Sequence, residues 1–281
     1  MMNLPQSDPV PAISEQAATG TTAEIFADIR NTLNVEIVNL IWRHLATMPG
    51  ALEWVWDSLK PLYRGPAMAP AEYIRAHLTL PYVPPISQDT LFAAGIDMTE
   101  RSSIVAVLDS YQHTNALALV CFSAFLARFD GSGALQRAAP PLIDEDRQYL
   151  PPIRAALPRL VPITEMPRSL ANLVHELNGF GEDSDPALVA SMYRHLANWP
   201  IYLALVRTFL VPLHESGELR TLVSVTRRLG EELGGAAAES ISTSAPQSGV
   251  EAVLSAVRRF VRHPIARMTG ICSLIRYTTV D

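Results

Sequence analysis

The chain has 281 residues, 48% of them hydrophobic and 18% charged, and its formal net charge is −6. These values are typical of a folded globular protein, and the lack of a basic stripe argues against nucleic-acid binding. No window approaches 18 uninterrupted apolar residues, and no basic region followed by an apolar run opens the chain. The sequence therefore predicts a cytoplasmic protein without a membrane span.

Two cysteines, Cys121 and Cys272, both stand in apolar stretches with helical spacing. Without an export signal, buried free thiols are expected rather than a disulfide. No pair of Cys or His residues has the spacing of metal ligands, so we expect no metal site.

Apolar residues recur at helical spacing along most of the chain, and no run of alternating β-branched residues predicts a strand. The predicted fold class is therefore all-α. The predicted helices cover residues 22–33, 35–47, 49–62, 71–78, 87–94, 99–128, 168–178, 186–197, 200–214, 216–233 and 250–277. Proline- and glycine-rich or polar stretches predict an irregular segment at 1–20, a linker with a short helix at 130–164 and a flexible loop at 234–249.

One motif appears twice, half a chain apart. Residues 41–62 and 192–213, aligned without a gap at an offset of 151, agree at 10 of 22 positions, and both contain RHLAxxP. Such agreement predicts a tandem repeat of about 150 residues, the size of one domain each. We expect helical repeats at 21–129 and 165–281, packed as an intrachain pseudo-dimer with a mostly apolar cleft between them.

Three segments together resemble the group I 2-haloacid dehalogenases: VEIVNLIWRHLATMPGAL at 35–52, SYQHTNALAL at 110–119 and SMYRHLANWP at 191–200. The resemblance extends over nearly the whole chain and implies an all-α pseudo-dimer with the active site between its repeats. It also implies hydrolysis of a small 2-halocarboxylic acid without metal or organic cofactor. In that reaction an aspartate activates a water that displaces halide at the α-carbon, and an asparagine positions the water.

The resemblance carries over to individual positions. Asn115 matches the family's asparagine, but the position of its aspartate, directly after Ser191, holds Met192. A thioether cannot take a proton from water, so a base would have to lie elsewhere. Two aromatic pocket positions of the family fall on Ile37 and Leu40.

Other residues are candidates for the base. One group is the acidic loop that only the second repeat contains, with Glu182, Asp183 and Asp185, although an Asp before Pro186 is more often a helix N-cap. The other is His195, if it titrates near neutrality in the cleft. Because His195 repeats His44, it could instead make the same structural bond in each half.

Substrate binding has further candidates beside Ser191 and Met192. Arg194, like its counterpart Arg43, could hold a carboxylate with two hydrogen bonds or could pair with an acid of the fold. Tyr111, close to Asn115 in sequence, is expected in the same pocket.

Three functions remain open from the sequence. The first is dehalogenase-like hydrolysis with a relocated base, and the second is a catalytically silent or repurposed relative that binds a small apolar carboxylic acid. The third is a different hydrolysis that uses His44 or His195. Neither nucleic acid nor a membrane is expected as a partner, whereas an exposed apolar helix face could form a homodimer.

Overall fold

The computed structural model describes residues 10–130, 156–181 and 188–279. Every regular element within these ranges is helical, which confirms the all-α class. A π-helical turn, Val261–Ile265, joins the last two α-helices, and 3₁₀ turns cover Ile163–Glu165 and Ala238–Ser240. The α-helices are α1 (Gly20–Leu33), α2 (Leu40–Leu45), α3 (Ala51–Tyr63), α4 (Met68–His77), α5 (Gln88–Ala93), α6 (Met98–Phe129), α7 (Arg168–Asn178), α8 (Ser191–Leu196), α9 (Pro200–Glu215), α10 (Glu218–Ala237), α11 (Val250–Phe260) and α12 (Ala266–Thr278).

Two helices are shorter than predicted, and they occupy matching places in the two sequence motifs. The helix predicted at 35–47 begins only at α2, and the one predicted at 186–197 begins only at α8. Side chains from other elements bond the backbone just before each start. Glu15 accepts from Val38 N–H at 2.9 Å, and Asn178 accepts from Ala190 N–H at 2.9 Å. These tertiary bonds satisfy backbone N–H groups that would otherwise need an acceptor within a helix.

Two further expectations are corrected in the C-terminal part. Helix α10 continues to Ala237 and a 3₁₀ turn follows it, so the first residues of the predicted loop 234–249 are helical. The predicted helix 250–277 is continuous, but it takes a π-helical turn around Pro264. Proline has no N–H to donate and its ring clashes with the preceding turn, which explains the local widening. The short helix predicted in the linker falls mainly on residues outside the described ranges.

Helix α6 begins at a capping box. The Asp97 carboxylate accepts from the N–H groups of Thr99 and Glu100 at 2.8 Å each, and the Glu100 side chain accepts from Asp97 N–H at 3.0 Å. These bonds satisfy donors that the first helical turn leaves without partners. From this start the helix runs for 32 residues.

The buried apolar side chains form two clusters, and α6 contributes to both. The first cluster contains α1 to α4, the second half of α6 and α11. The second contains α5, the first half of α6, α7 to α9, the first half of α10 and α12, while the end of α10 belongs to the first cluster. Each cluster thus takes residues from both halves of the sequence, because each long helix passes from one cluster into the other. The repeat boundaries at 21–129 and 165–281 stay a prediction.

The two motifs make some matching bonds. Ile13 N–H donates to the Arg43 carbonyl at 3.0 Å, and Val161 N–H donates to the Arg194 carbonyl at 3.3 Å. An extended segment therefore lies against the corresponding arginine in each half. The tandem-repeat pseudo-dimer remains a prediction that these bonds support.

Cys121 and Cys272 are both buried and free, as predicted. No helix of the described residues is long and apolar enough to cross a membrane.

Glycines allow α10 to approach α6 closely. A Cβ atom at Gly230 would lie 2.4 Å from Cγ of Leu119, and one at Gly234 would lie 2.5 Å from Cβ of Ser123 and 2.7 Å from the carbonyl oxygen of Val120. A methyl group at Gly234 would meet backbone atoms that cannot move aside. The absence of side chains at these glycines thus sets the distance between the two helices.

We expect Gly234→Ala to lower the free energy of unfolding by about 1–3 kcal/mol, because it overpacks the α6–α10 contact. Gly235→Ala is the matched control, since a Cβ there meets nothing within 4 Å. The control should gain roughly 1 kcal/mol from helix propensity. Urea unfolding of both variants measures the difference, and equal stabilities would contradict the close approach.

Candidate active site

A cavity of about 60 Å³ lies where the two apolar clusters meet. Four stretches line it: residues 37–41, 110–115, 188–192 and 260–268, with Leu157 at one side. A space of this size holds several waters or one small organic molecule. The lining is mostly apolar, and a few polar side chains interrupt it, as is typical of small-molecule sites.

Most of the predicted site residues come together here. Arg194 and His195 follow the last lining residues on α8 but are not among the lining side chains. Asp185 and the other carboxylates of the acidic loop lie outside the described residues. The predicted residues that line the cavity are Ile37, Leu40, Tyr111, Asn115, Ser191 and Met192.

Asn115 lines the cavity, and its amide nitrogen is buried. Its side chain is only 7% exposed, and no partner for Nδ2 is found in the described part of the chain. A buried amide donor without a partner is costly, and this cost is removed if a bound water or ligand accepts from it. Asn115 therefore marks the point in the cavity where a polar atom of a guest is favoured.

Tyr111 and His195 form a buried pair beside the cavity. The Tyr111 hydroxyl lies 2.7 Å from Nδ1 of His195, while no partner for His195 Nε2 is found among the described residues. Burial raises the pKa of Tyr111, partly opposed by the charges of Arg194 and Arg43 and by a hydrogen bond with Ser191. The tyrosine is therefore a neutral hydroxyl at physiological pH.

His195 is also neutral in the folded protein. Burial lowers its pKa to about 4, and the charges of Arg194 and Arg43 act in the same direction. The corresponding His44 has a different environment, with Nδ1 2.7 Å from the Pro11 carbonyl oxygen. The two histidines of the repeated motif thus make different bonds.

Arg43 and Arg194 are fixed behind the cavity wall. Both are buried, at 6% and 1% exposure, and their Nε atoms donate to the carbonyls of Val38 and Val161 at 3.2 Å each. They do not line the cavity directly, yet their charges reach Tyr111 and His195. The arginine charges therefore act on the pKa values of both members of the buried pair.

Asn178, at the end of α7, fixes one wall of the cavity and was not predicted from the sequence. Its Oδ1 accepts from Ala190 N–H at 2.9 Å and from Arg267 Nη2 at 3.1 Å, and its Nδ2 donates to the Leu188 carbonyl at 3.2 Å. Residues 188–190 are held in a non-helical conformation that brings them to the cavity. An asparagine at a helix end normally suggests only capping, so the sequence carried no clear signal for this role.

The late start of α8 also bears on Asp185. Interpreting Asp185 as an N-cap required a helix beginning at Pro186, but residues 188–190 are not helical and α8 begins at Ser191, whose preceding cap residue is Ala190. Asp185 itself lies outside the described residues, and its role stays a prediction. No cluster of His, Cys, Asp and Glu suited to a metal is found among the described residues.

Solved structures and sequence relatives agree on what the chain resembles. It matches a D-2-haloacid dehalogenase mutant in complex with D-2-CPA at a TM-score of 0.70, with 16% identity over 96% of this chain and 95% of that one. A D-2-haloacid dehalogenase with L-LA matches at 0.68, with 17% identity over 96% of both chains. These likenesses show a common fold.

The sequence relatives are also 2-haloacid dehalogenases. An (R)-2-haloacid dehalogenase of Pseudomonas putida is 29% identical over 114 residues, which span 38% of each protein. A configuration-inverting 2-haloacid dehalogenase of Pseudomonas sp. (strain 113) is 25% identical over 228 residues, 79% of this chain and 73% of the relative. The chain resembles the 2-haloacid dehalogenases. No family model matches it.

The buried histidines predict a pH dependence of stability. The pKa values of His113 and His195 are about 4 in the folded chain, in each case mainly because of burial, and near 6.5 when unfolded. Between these values the unfolded chain binds more protons, so the free energy of unfolding falls as the pH is lowered from about 6.5 to about 4. Each histidine contributes at most about 1.4 kcal/mol per pH unit.

Urea unfolding of wild type, His113→Asn and His195→Asn between pH 4 and 7 measures this slope. Each variant should lose part of it. A slope unchanged in both variants would show that neither histidine is responsible.

Proposed function

We propose that this protein is a 2-haloacid dehalogenase-like hydrolase that takes a short 2-halocarboxylic acid into the cavity. The observation that carries the proposal is the unpartnered amide of Asn115 in an otherwise apolar cavity, at the position that matches the family's water-positioning asparagine. The similarity in fold and sequence to 2-haloacid dehalogenases supports it.

The proposed reaction is a direct displacement. The oxygen of a water held by Asn115 forms a bond to the carbon next to the carboxylate, on the face opposite the halogen. The carbon–halogen bond breaks at the same time, and the halide leaves with the bonding electrons. A base takes the proton of the water. Because water attacks the carbon directly, no covalent intermediate with the protein forms. The apolar walls exclude bulk water and accommodate the halogen and the alkyl group.

This mechanism requires a base that takes the proton of the water. Met192 is fully buried in the cavity wall and cannot accept a proton. His195 is a weak candidate because it does not line the cavity and its pKa of about 4 makes it a poor proton acceptor at neutral pH. Asp185, in the acidic loop that only the second repeat contains, is the candidate that we propose for the base.

A second function is favoured by Met192 itself. Among the described lining residues there is no carboxylate, histidine or lysine, and Tyr111 is the ionisable one. A cavity with hydrogen-bonding groups but no base suits a silent or repurposed relative that binds a small apolar carboxylic acid without turning it over. Kinetics separate the two functions.

We expect wild type to release halide from 2-chloropropionate or 2-bromopropionate, tested as separate enantiomers, and Asn115→Ala to lose about 100-fold or more in kcat because the water is misplaced. Asn31→Ala, at an exposed position of α1, is the control. Asp185→Asn should abolish release if Asp185 is the base. Activity unaffected by Asn115→Ala would count against the proposed site.

Met192→Asp tests the second function. If the cavity has lost its base but is otherwise intact, wild type releases no halide and Met192→Asp does, since the variant places a carboxylate at the position that the family uses. Met268→Asp is the matched control, because Met268 is also a buried lining residue. Release by neither wild type nor Met192→Asp would contradict both an active and a recoverable dehalogenase site.

A further inference from the structure

The Tyr111 hydroxyl and the Asn115 amide belong to two separate polar places in the cavity. The residues are four apart on α6, which sets their side chains on one face of the helix, one turn apart. Asn115 lies at the place proposed for the attacking water. Tyr111 lies at the other place, next to Ser191 and in the field of Arg43 and Arg194.

The protonation of His195 decides what the Tyr111 hydroxyl can do. A neutral imidazole has one N–H, on Nδ1 or on Nε2. Nε2 is buried, and no partner for it is found among the described residues. A proton there would leave a buried donor without an acceptor, which costs more than a buried lone pair, so the proton belongs on Nδ1. Nδ1–H then donates to the Tyr111 oxygen, 2.7 Å away.

With that bond made, the hydroxyl hydrogen of Tyr111 is directed away from His195. The hydrogen can then bond to Ser191 or to a guest in the cavity. Donation from Nδ1–H to the phenol oxygen also strengthens the hydroxyl as a donor, because consecutive hydrogen bonds polarise one another. A carboxylate oxygen is the acceptor that gains most from such a donor, because hydrogen bonds to charged groups are the stronger ones.

We propose that the hydroxyls of Tyr111 and Ser191 form the carboxylate subsite of this cavity and that His195 is a positioning residue, which acts by donating from Nδ1 to Tyr111. The proposal rests on the proposed function only in taking a small carboxylic acid as the guest. It assigns His195 a role other than that of base, and it orients the guest: its carboxylate lies at Tyr111 and its α-carbon lies toward Asn115.

Binding of an unreactive pair of probes tests the subsite. Isobutyrate and isobutyramide have nearly the same shape but differ in charge, and neither carries a halogen to displace. With the full chain at neutral pH, titration calorimetry should show tighter binding of isobutyrate. Tyr111→Phe should weaken isobutyrate about tenfold or more and isobutyramide by less than about threefold, since a hydrogen bond to a charged group is the stronger one.

Tyr202→Phe is the matched control. Its hydroxyl is also fully buried and bonded, 2.6 Å from the Thr279 hydroxyl, but it does not line the cavity. This variant should bind both probes like wild type. Equal losses of the acid and the amide in Tyr111→Phe would overturn the carboxylate subsite, and so would wild type that binds neither probe.

The role of His195 is tested by two substitutions. His195→Leu removes the donor and should weaken isobutyrate as much as Tyr111→Phe, with no further loss in the double variant. His195→Asn can place an amide N–H where Nδ1 lies, and it should restore isobutyrate affinity to within about threefold of wild type. If His195→Asn is as weak as Tyr111→Phe, the positioning role is overturned.

These binding results are independent of turnover. A protein that binds isobutyrate through Tyr111 but releases no halide would retain the subsite and lose the proposed hydrolysis. Halide release that persists in Tyr111→Phe with unchanged KM would retain the hydrolysis and remove the subsite.

Discussion

The position of the cavity depends on helix α6, which must pack into two apolar clusters. This helix enters one apolar cluster with its first half and the other with its second half, and glycines on α10 bring the neighbouring backbone close to it. Between the two halves stands a polar turn, residues 110–115, which cannot be buried against apolar side chains without cost. The cavity lies at this turn, and the π-helical turn before α12 borders it from the other long helix.

The chemistry of the cavity follows from which groups are neutral there. Burial keeps Tyr111 protonated and His195 uncharged, and the charges of Arg43 and Arg194 act on both side chains. Such a site offers a guest neutral hydrogen-bonding groups. Among the described lining residues there is no proton acceptor for the proposed water at Asn115, so the proposed hydrolysis needs a base from outside them. This is why the reaction depends on the origin of the base.

The sequence predicted part of the cavity wall. The segments at 35–52, 110–119 and 191–200 all contribute lining residues, whereas nothing in the sequence indicated the contribution of residues 260–268. It could not predict that helices α2 and α8 begin late, because the bonds that hold the preceding residues come from Glu15 and Asn178, which are distant in sequence. Nor could it predict that Tyr111 would be the hydrogen-bond partner of His195.

The sequence by itself determined the helical class, the long helices at the end of each half and the identity of the side chains available for chemistry, since these follow from local spacing and residue type. Tertiary structure alone decided how they are used. Packing of α6 against α8 brought the Tyr111 hydroxyl to 2.7 Å from His195 Nδ1, and burial left Nε2 of the same imidazole without a partner among the described residues. Such properties depend on distance and burial, which a linear pattern does not contain.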